Sequence, residues 1–267
     1  MTQMLRFSLS SQACSQLPCK DAIALAAEAG YQGYHLILRP EVAGTVETDL
    51  AAAKQAAEEV GLGISSLEWL RQTDSSSAFE EELGDAIEAA FTIETPRLVI
   101  SASPRPAKPA ALATALYQEA QIISNVMDRK KAQNIEVCLG IKPQTLAHDH
   151  YSATGLLQLI NQLSIRLMMD PVELCLGGAD YSETALRSIQ DRLGLFVLRG
   201  VRHTADGFED VPLNQTTLYL QQHLARLMRA DFQGFLLLGT HVPVAGQPVR
   251  DVIKNELRSA TEFLKDL

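Results

Sequence analysis

The sequence predicts a single (β/α)8 TIM barrel, a ring of eight parallel strands each followed by a helix. Two observations carry the prediction: eight short apolar runs alternate with longer amphipathic ones from end to end, and 267 residues match the span of eight such units. A third concerns the fallback, a doubly wound open sheet, which would usually show a Gly-rich phosphate turn after an early strand. No such turn is found. No composition shift marks a boundary, so residues 1–267 read as one domain.

Each unit can be justified in order. The run Leu5–Ser10 leads to DAIALAAEAG, and Tyr34–Leu38 leads to TDLAAAKQAAEEVG; apolar residues recur in both at three- and four-residue steps. These segments close on Gly30 and Gly61, residues suited to a helix C-cap. Gly63–Leu67 is followed by DSSS at 74–77, read as a loop, and then by FEEELGDAIEAAF. After Arg97–Ser101 the Pro-rich SPRPAKP is a loop, and PAALATALYQEAQIISNVMDRKKAQ is the fourth helix. The last four strands are Ile135–Leu139, Ile165–Met169, Leu195–Leu198 and Gly234–Leu238. Their helices are ATGLLQLINQL, SETALRSIQDRL, LNQTTLYLQQHLARLMRA and RDVIKNELRSATEFLKDL.

The chain is 46% hydrophobic and 21% charged, with mean hydropathy +0.01, the balance of a soluble globular protein. A net charge of −9 argues against a broad grip on nucleic acid or an anionic membrane, and leaves a local basic patch open. The start, MTQMLRFSLSSQAC, lacks the basic end and apolar run of a signal peptide, and no stretch approaches the roughly 18 apolar residues of a membrane span. The expected location is the cytoplasm. Cys14, Cys19, Cys138 and Cys175 give neither a disulfide framework nor a CxxC pair for zinc.

The segments AIALAAEAGYQGYHL, EEVGLGISSL, IEVCLGIKP, RLMMDPVE, DVPLN, ADFQGFLLLG and SATEFLKDL, in this order and spacing, resemble the xylose-isomerase-like TIM-barrel superfamily of sugar phosphate isomerases and epimerases, which includes endonuclease-IV-like enzymes. The resemblance implies a divalent metal held at the barrel mouth by Glu, Asp, His and Glu from strands five to eight. Such ions take hard oxygen ligands with imidazole and polarise a carbonyl or hydroxyl pair. Here the corresponding positions are Gly140, Asp170, Val197 and Gly239, and the acid usual at the end of strand two is His35. One ligand remains of four, so no metal and no other cofactor is expected. His203-Thr204-Ala205-Asp206-Gly207 reads as the family's H-x-x-D-x-G, and a six-residue slip in strand seven would restore that His. LGLFVL has the buried character of a barrel strand, however, whereas VRHTADGF reads as a polar loop.

Side chains alternate along a strand, so residues in step with the lost ligands should point into the mouth: Lys142 with Gly140, Arg199 with Val197 and His241 with Gly239. Lys142 and Arg199 are expected to supply the charge a metal would give and to pair with Asp170 and Glu173. Lys142 could act as an ammonium on a carbonyl or, with a lowered pKa, form a Schiff base with a keto substrate. His241 is a candidate general base. Glu68 with Trp69, the only tryptophan, could bind a hydroxyl and stack on a sugar. His148-Asp149-His150 is a weaker ligand cluster, and Ser101, Ser103 and Arg105 are weaker phosphate contacts.

The expected function is that of an isomerase or epimerase acting on a small polyhydroxylated or keto substrate without the family's metal. Lys142, Asp170, Glu173 and His241 are the catalytic candidates, with His35, Glu68, Trp69 and Arg199 as substrate contacts. The alternative is a non-catalytic barrel that binds a sugar-like ligand or a protein partner. No nucleic-acid or membrane partner is expected, and self-association is left open.

Overall fold

Strands covered on both faces read as nearly unbroken apolar runs, and such strands are parallel when helices return the chain between them. The computed structural model describes residues 5–38, 46–204, 207–239 and 247–265. Its strands and helices are β1 (Arg6–Ser10), α1 (Cys19–Ala29), β2 (Gly33–Leu38), α2 (Val46–Glu59), β3 (Ile64–Trp69), α3 (Ser76–Thr92), β4 (Arg97–Ser101), α4 (Leu112–Arg129), β5 (Glu136–Ile141), α5 (His150–Ile160), β6 (Ile165–Met169), α6 (Pro171–Leu176), α7 (Glu183–Ile189), β7 (Leu193–Val197), β8 (Gly200–Thr204), β9 (Gly207–Val211), α8 (Leu220–Arg229), β10 (Phe235–Leu238) and α9 (Val249–Lys265). Eight of the strands close into a parallel barrel in the order β1, β10, β7, β6, β5, β4, β3, β2. The predicted (β/α)8 class is therefore the observed one.

Period-two alternation sorts the strand residues into two cores. Leu9, Leu67, Leu98, Leu139, Leu167, Phe196 and Leu236 face outward and join the layer between strands and helices, where Ile23, Leu83, Ile87 and Ile123 complete it. Val99, Cys138, Met168, Leu195, Val197, Phe235 and Leu237 form a separate cluster inside the barrel. The register brings Leu98 beside Val137 and Val137 beside Ile165, so residues of one face stay on that face around the ring. Gly30 ends α1 in the left-handed conformation, with φ of 96°, as its C-cap role requires.

Two segments depart from the expected order. VRHTADGF, expected as a polar loop, falls where the described residues form the antiparallel hairpin β8–β9, which pairs Gly200 with Val211 and Thr204 with Gly207. An ion pair between Arg202 and Glu209 ties its exposed face. The barrel strand is LGLFV, paired with β6 and β10, so His203 belongs to the hairpin and the six-residue slip does not occur. The helix expected from Leu213 begins only at Leu220; Leu213–Gln215 is a short 3-10 turn whose Thr216 neighbour bonds back to Val201. Among the described residues, no helix is long and apolar enough to cross a membrane.

Candidate active site at the barrel mouth

The C-terminal ends of parallel strands are where a (β/α)8 barrel collects its reactive side chains, because the loops that follow open toward a common axis. Here those ends enclose a cavity of about 760 Å³, whose polar lining includes His35, Glu68, Lys142, Asp170, Glu173 and Arg199. Five strands or their following loops thus deliver charged or imidazole groups to one space, Lys142 and Arg199 among them.

The groups pair differently from the sequence expectation. Lys142 is expected to meet Asp170 and Glu173, but its Nζ lies 2.9 Å from Oε1 of Glu68, two strands away on β3. The other Glu68 oxygen lies 3.1 Å from Nε2 of His35, whose Nδ1 lies 2.8 Å from Oγ of Ser66. Burial pushes the Glu68 carboxyl up, but Lys142 and His35 outweigh it and hold the group at about 2. An ionised carboxylate only accepts, so Nε2 of His35 carries the hydrogen toward Glu68. Burial pulls the Lys142 ammonium down while Glu68 holds it up, and the result is a pKa above the ordinary lysine value. That direction favours the ammonium role over the Schiff-base option, which needs a lysine that sheds its proton.

Arg199 forms the second pair. Its Nε is 3.3 Å from Oδ2 of Asp170, and its Nη2 is 3.9 Å from Glu173, whose side chain is half-exposed. Asp170 is also the N-cap of α6: Oδ1 accepts from the amides of Val172 at 2.8 Å and Glu173 at 3.2 Å, with Pro171 in the first turn. Burial pushes the Asp170 carboxyl up to about 6, against the opposing pull of Arg199 and the two amides. A carboxyl titrating near neutrality can move a proton in either direction at physiological pH.

The remaining candidates are placed as follows. Trp69 is not at the mouth: as the neighbour of inward Glu68 it points the other way, is buried in the outer core, and donates Nε1–H to Glu82 of α3 at 3.0 Å. Strand alternation, which should have separated the two side chains, corrects their pairing. His241 lies outside the described residues. His148 accepts from Arg105 at 3.1 Å, Asp149 caps α5 through the amide of Ser152, and His150 is buried in that helix, so the three do not converge. Ser103 is tied to Glu119, which also holds Arg71. Missed by the sequence reading were Ser10, Ser11 and Gln12, which line the cavity at the end of β1 and just beyond it; their only signal was polar SLSS at a strand end.

The donor set does not fit the divalent ion that the family resemblance implies. A Cβ on Gly140 would stand 3.3 Å from Cε of Lys142, so the lysine stem covers the place of the strand-five Glu. Gly239 has φ of +70°, and its Cβ would collide at 2.8 Å with Leu9 and Ala13, away from the mouth. Val197 belongs to the apolar cluster inside the barrel. Asp170 is committed to a helix cap and a guanidinium. Among the described residues, no three His, Cys, Asp or Glu side chains are grouped to hold a metal ion. Gly239→Ala is expected to destabilise the fold through both the left-handed backbone and the collision, by about 1–3 kcal/mol in a denaturant titration.

No protein-family model matches the chain, and no curated protein matches it. Solved structures do. The IOLI protein with a bound zinc atom superposes with a TM-score of 0.81 at 12% identity, over 98% of this chain and 99% of that one. This chain has the fold of the xylose-isomerase-like barrels. L-ribulose 3-epimerase gives 0.76 at 15% identity over 98% and 95% of the two chains. A probable 3-DHS dehydratase from Bacillus anthracis gives 0.72 at 16%, over 96% and 99%. At these identities the likeness establishes the architecture alone, and the chemistry of the mouth has to be argued from its own residues.

Proposed function

We propose that the barrel is a sugar isomerase or epimerase-like enzyme that acts on a small polyhydroxylated or keto compound without a divalent metal. The observation that carries this reading is the convergence of Lys142, Glu68, His35, Asp170, Glu173 and Arg199 on one cavity at the strand ends. In it, the Lys142 ammonium polarises the substrate carbonyl, and the charge that develops on that oxygen is met by a cation already held in place by Glu68. Asp170, with Glu173 beside it, takes and returns the proton at the carbon next to the carbonyl. Glu68, His35 and Arg199 hold hydroxyl groups and fix the substrate's orientation. The fold shared with L-ribulose 3-epimerase supports this substrate class.

Thermal melting with a panel of ketoses and aldoses tests the binding half. A sugar that raises the melting temperature of the wild type and leaves that of Lys142→Ala unchanged is the expected result; no shift with any sugar would sink the reading. Borohydride added with a keto-sugar should leave the mass of Lys142 peptides unaltered, because the lysine acts as a cation and forms no imine.

One observation favours a second reading, a barrel that binds without turning over. Two of the three acids of the mouth are already matched to a cation of the chain, Glu68 to Lys142 and Asp170 to Arg199, and Glu173 shares Arg199. That reading predicts a melting shift with no exchange of substrate protons.

A further inference from the structure

The net charge of −9 leaves a local basic patch open, and the structure contains one at the end of the barrel opposite the cavity. The inward positions at the strand starts carry Arg6 on β1, Arg97 on β4, Glu136 on β5 and, one residue in, Arg166 on β6. Arg97 stands beside Glu136 in the register, and Arg6 beside Phe235. The guanidinium carbons of Arg6 and Arg97 lie 4.3 and 5.7 Å from the centre of the same Phe235 ring. Gly194 makes room here: a Cβ would stand 2.8 Å from Sγ of Cys138 and 3.1 Å from Cβ of Arg166.

One carboxylate lies among these three cations and pairs with two of them. Glu136 has Oε2 2.8 Å from Nε of Arg97 and Oε1 3.5 Å from Nε of Arg166. The Arg97 contact is close but poorly directed, for neither Nε of Arg97 nor Oε2 of Glu136 completes a hydrogen bond among the described residues, and both atoms are buried. Arg6 spends Nη2 on the carbonyl of Gln233, and Arg166 spends Nη1 on those of Leu163 and Ile165, a minority of the five donors on each guanidinium. Burial and, after it, the neighbouring Arg97 lower the Arg6 pKa against the opposing pull of Glu136. The Arg97 side chain is only 11% exposed while that of Glu136 is 33% exposed, so Arg97 is the covered member of the pair and Glu136 the more open one.

We propose that this N-terminal end of the barrel binds a small oxyanion of the phosphate or sulfate class on the guanidiniums of Arg6, Arg97 and Arg166. Guanidinium forks match the oxygen spacing of such ions, and an anion supplies the counter-charge that Glu136 alone does not. Glu136 orients Arg97 and Arg166 and at the same time repels the ligand. The same chemistry serves a free inorganic ion or the phosphoryl group of a larger metabolite.

The test is a titration with inorganic phosphate at constant ionic strength set with chloride, followed by melting temperature. The wild type should show a saturable rise that chloride does not give. Arg6→Gln and Arg166→Gln should each weaken the apparent affinity about tenfold, the value of one charge-assisted contact. Glu136→Gln should tighten it, an effect opposite in sign to general damage. Glucose 6-phosphate as a second probe assigns the source: tighter than phosphate means a phosphorylated metabolite, weaker means the free ion. The proposal is overturned if phosphate and chloride act alike. It is equally overturned if Arg6→Gln melts cooperatively with its phosphate shift intact, or if Lys142→Ala at the other end removes the shift.

Discussion

Replacing Glu68 by alanine is expected to cost about 3–5 kcal/mol of folding stability, the range for removing one partner of a buried ion pair. The carboxylate is the single acid that meets both the Lys142 ammonium and the His35 ring, and its side chain is 11% exposed. Truncation would leave a cation with little access to water and an imidazole N–H without its acceptor. Glu68→Gln keeps one acceptor oxygen and should cost less. A pH series separates the charge from the packing. Because the folded-state value is about 2, below the ordinary 4.5, the Glu68 contribution is fully present above about pH 4.5 and is lost as pH falls through about 2. The gap between wild type and Glu68→Gln in urea titrations should therefore narrow across that window. A gap that is constant from pH 7 to pH 2.5 would contradict the pairing.

Asp170→Ala is expected to be the second costly change at the mouth, at about 2–4 kcal/mol, because it removes a helix cap and strands Arg199 at once. Asp170→Asn keeps an oxygen for the amides of Val172 and Glu173 and should recover the cap but not the ion pair. Here the pH dependence has the opposite sign. With a folded-state value of about 6 against an ordinary 3.8, Asp170 binds its proton more readily in the native state. Its contribution to stability grows as pH falls through 6 toward 3.8, so wild type should gain on Asp170→Asn over that interval. Equal slopes for the two proteins would contradict the buried, near-neutral carboxyl.

The barrel was legible in the sequence because its signal is periodic and repeated. Runs such as RLVIS and IRLMM can be buried on both faces only in a parallel sheet covered by helices, and each is followed by an amphipathic stretch. The β8–β9 hairpin was not legible, because VRHT and GFEDV are short and charged and their alternation sits on a half-exposed surface where polarity reads as loop. At the mouth, alternation was the argument for Lys142 and Arg199, and both line the cavity. The partners were not readable, since which cation meets which acid is set by the ring geometry: β3 and β5 are separated by β4, yet the long lysine reaches across to Glu68. Trp69 shows the reverse case, where adjacency in sequence suggested a shared role and the strand's period of two put the side chains on opposite faces.

The most direct measurement is deuterium incorporation, in chelator-treated protein, at the carbon next to the carbonyl of the ketose that gives the largest melting shift. If Lys142, held by Glu68, supplies the charge in place of a metal, exchange persists in chelator and is lost in Lys142→Met. Exchange that stops with chelator and returns on adding manganese, cobalt or zinc would contradict that account.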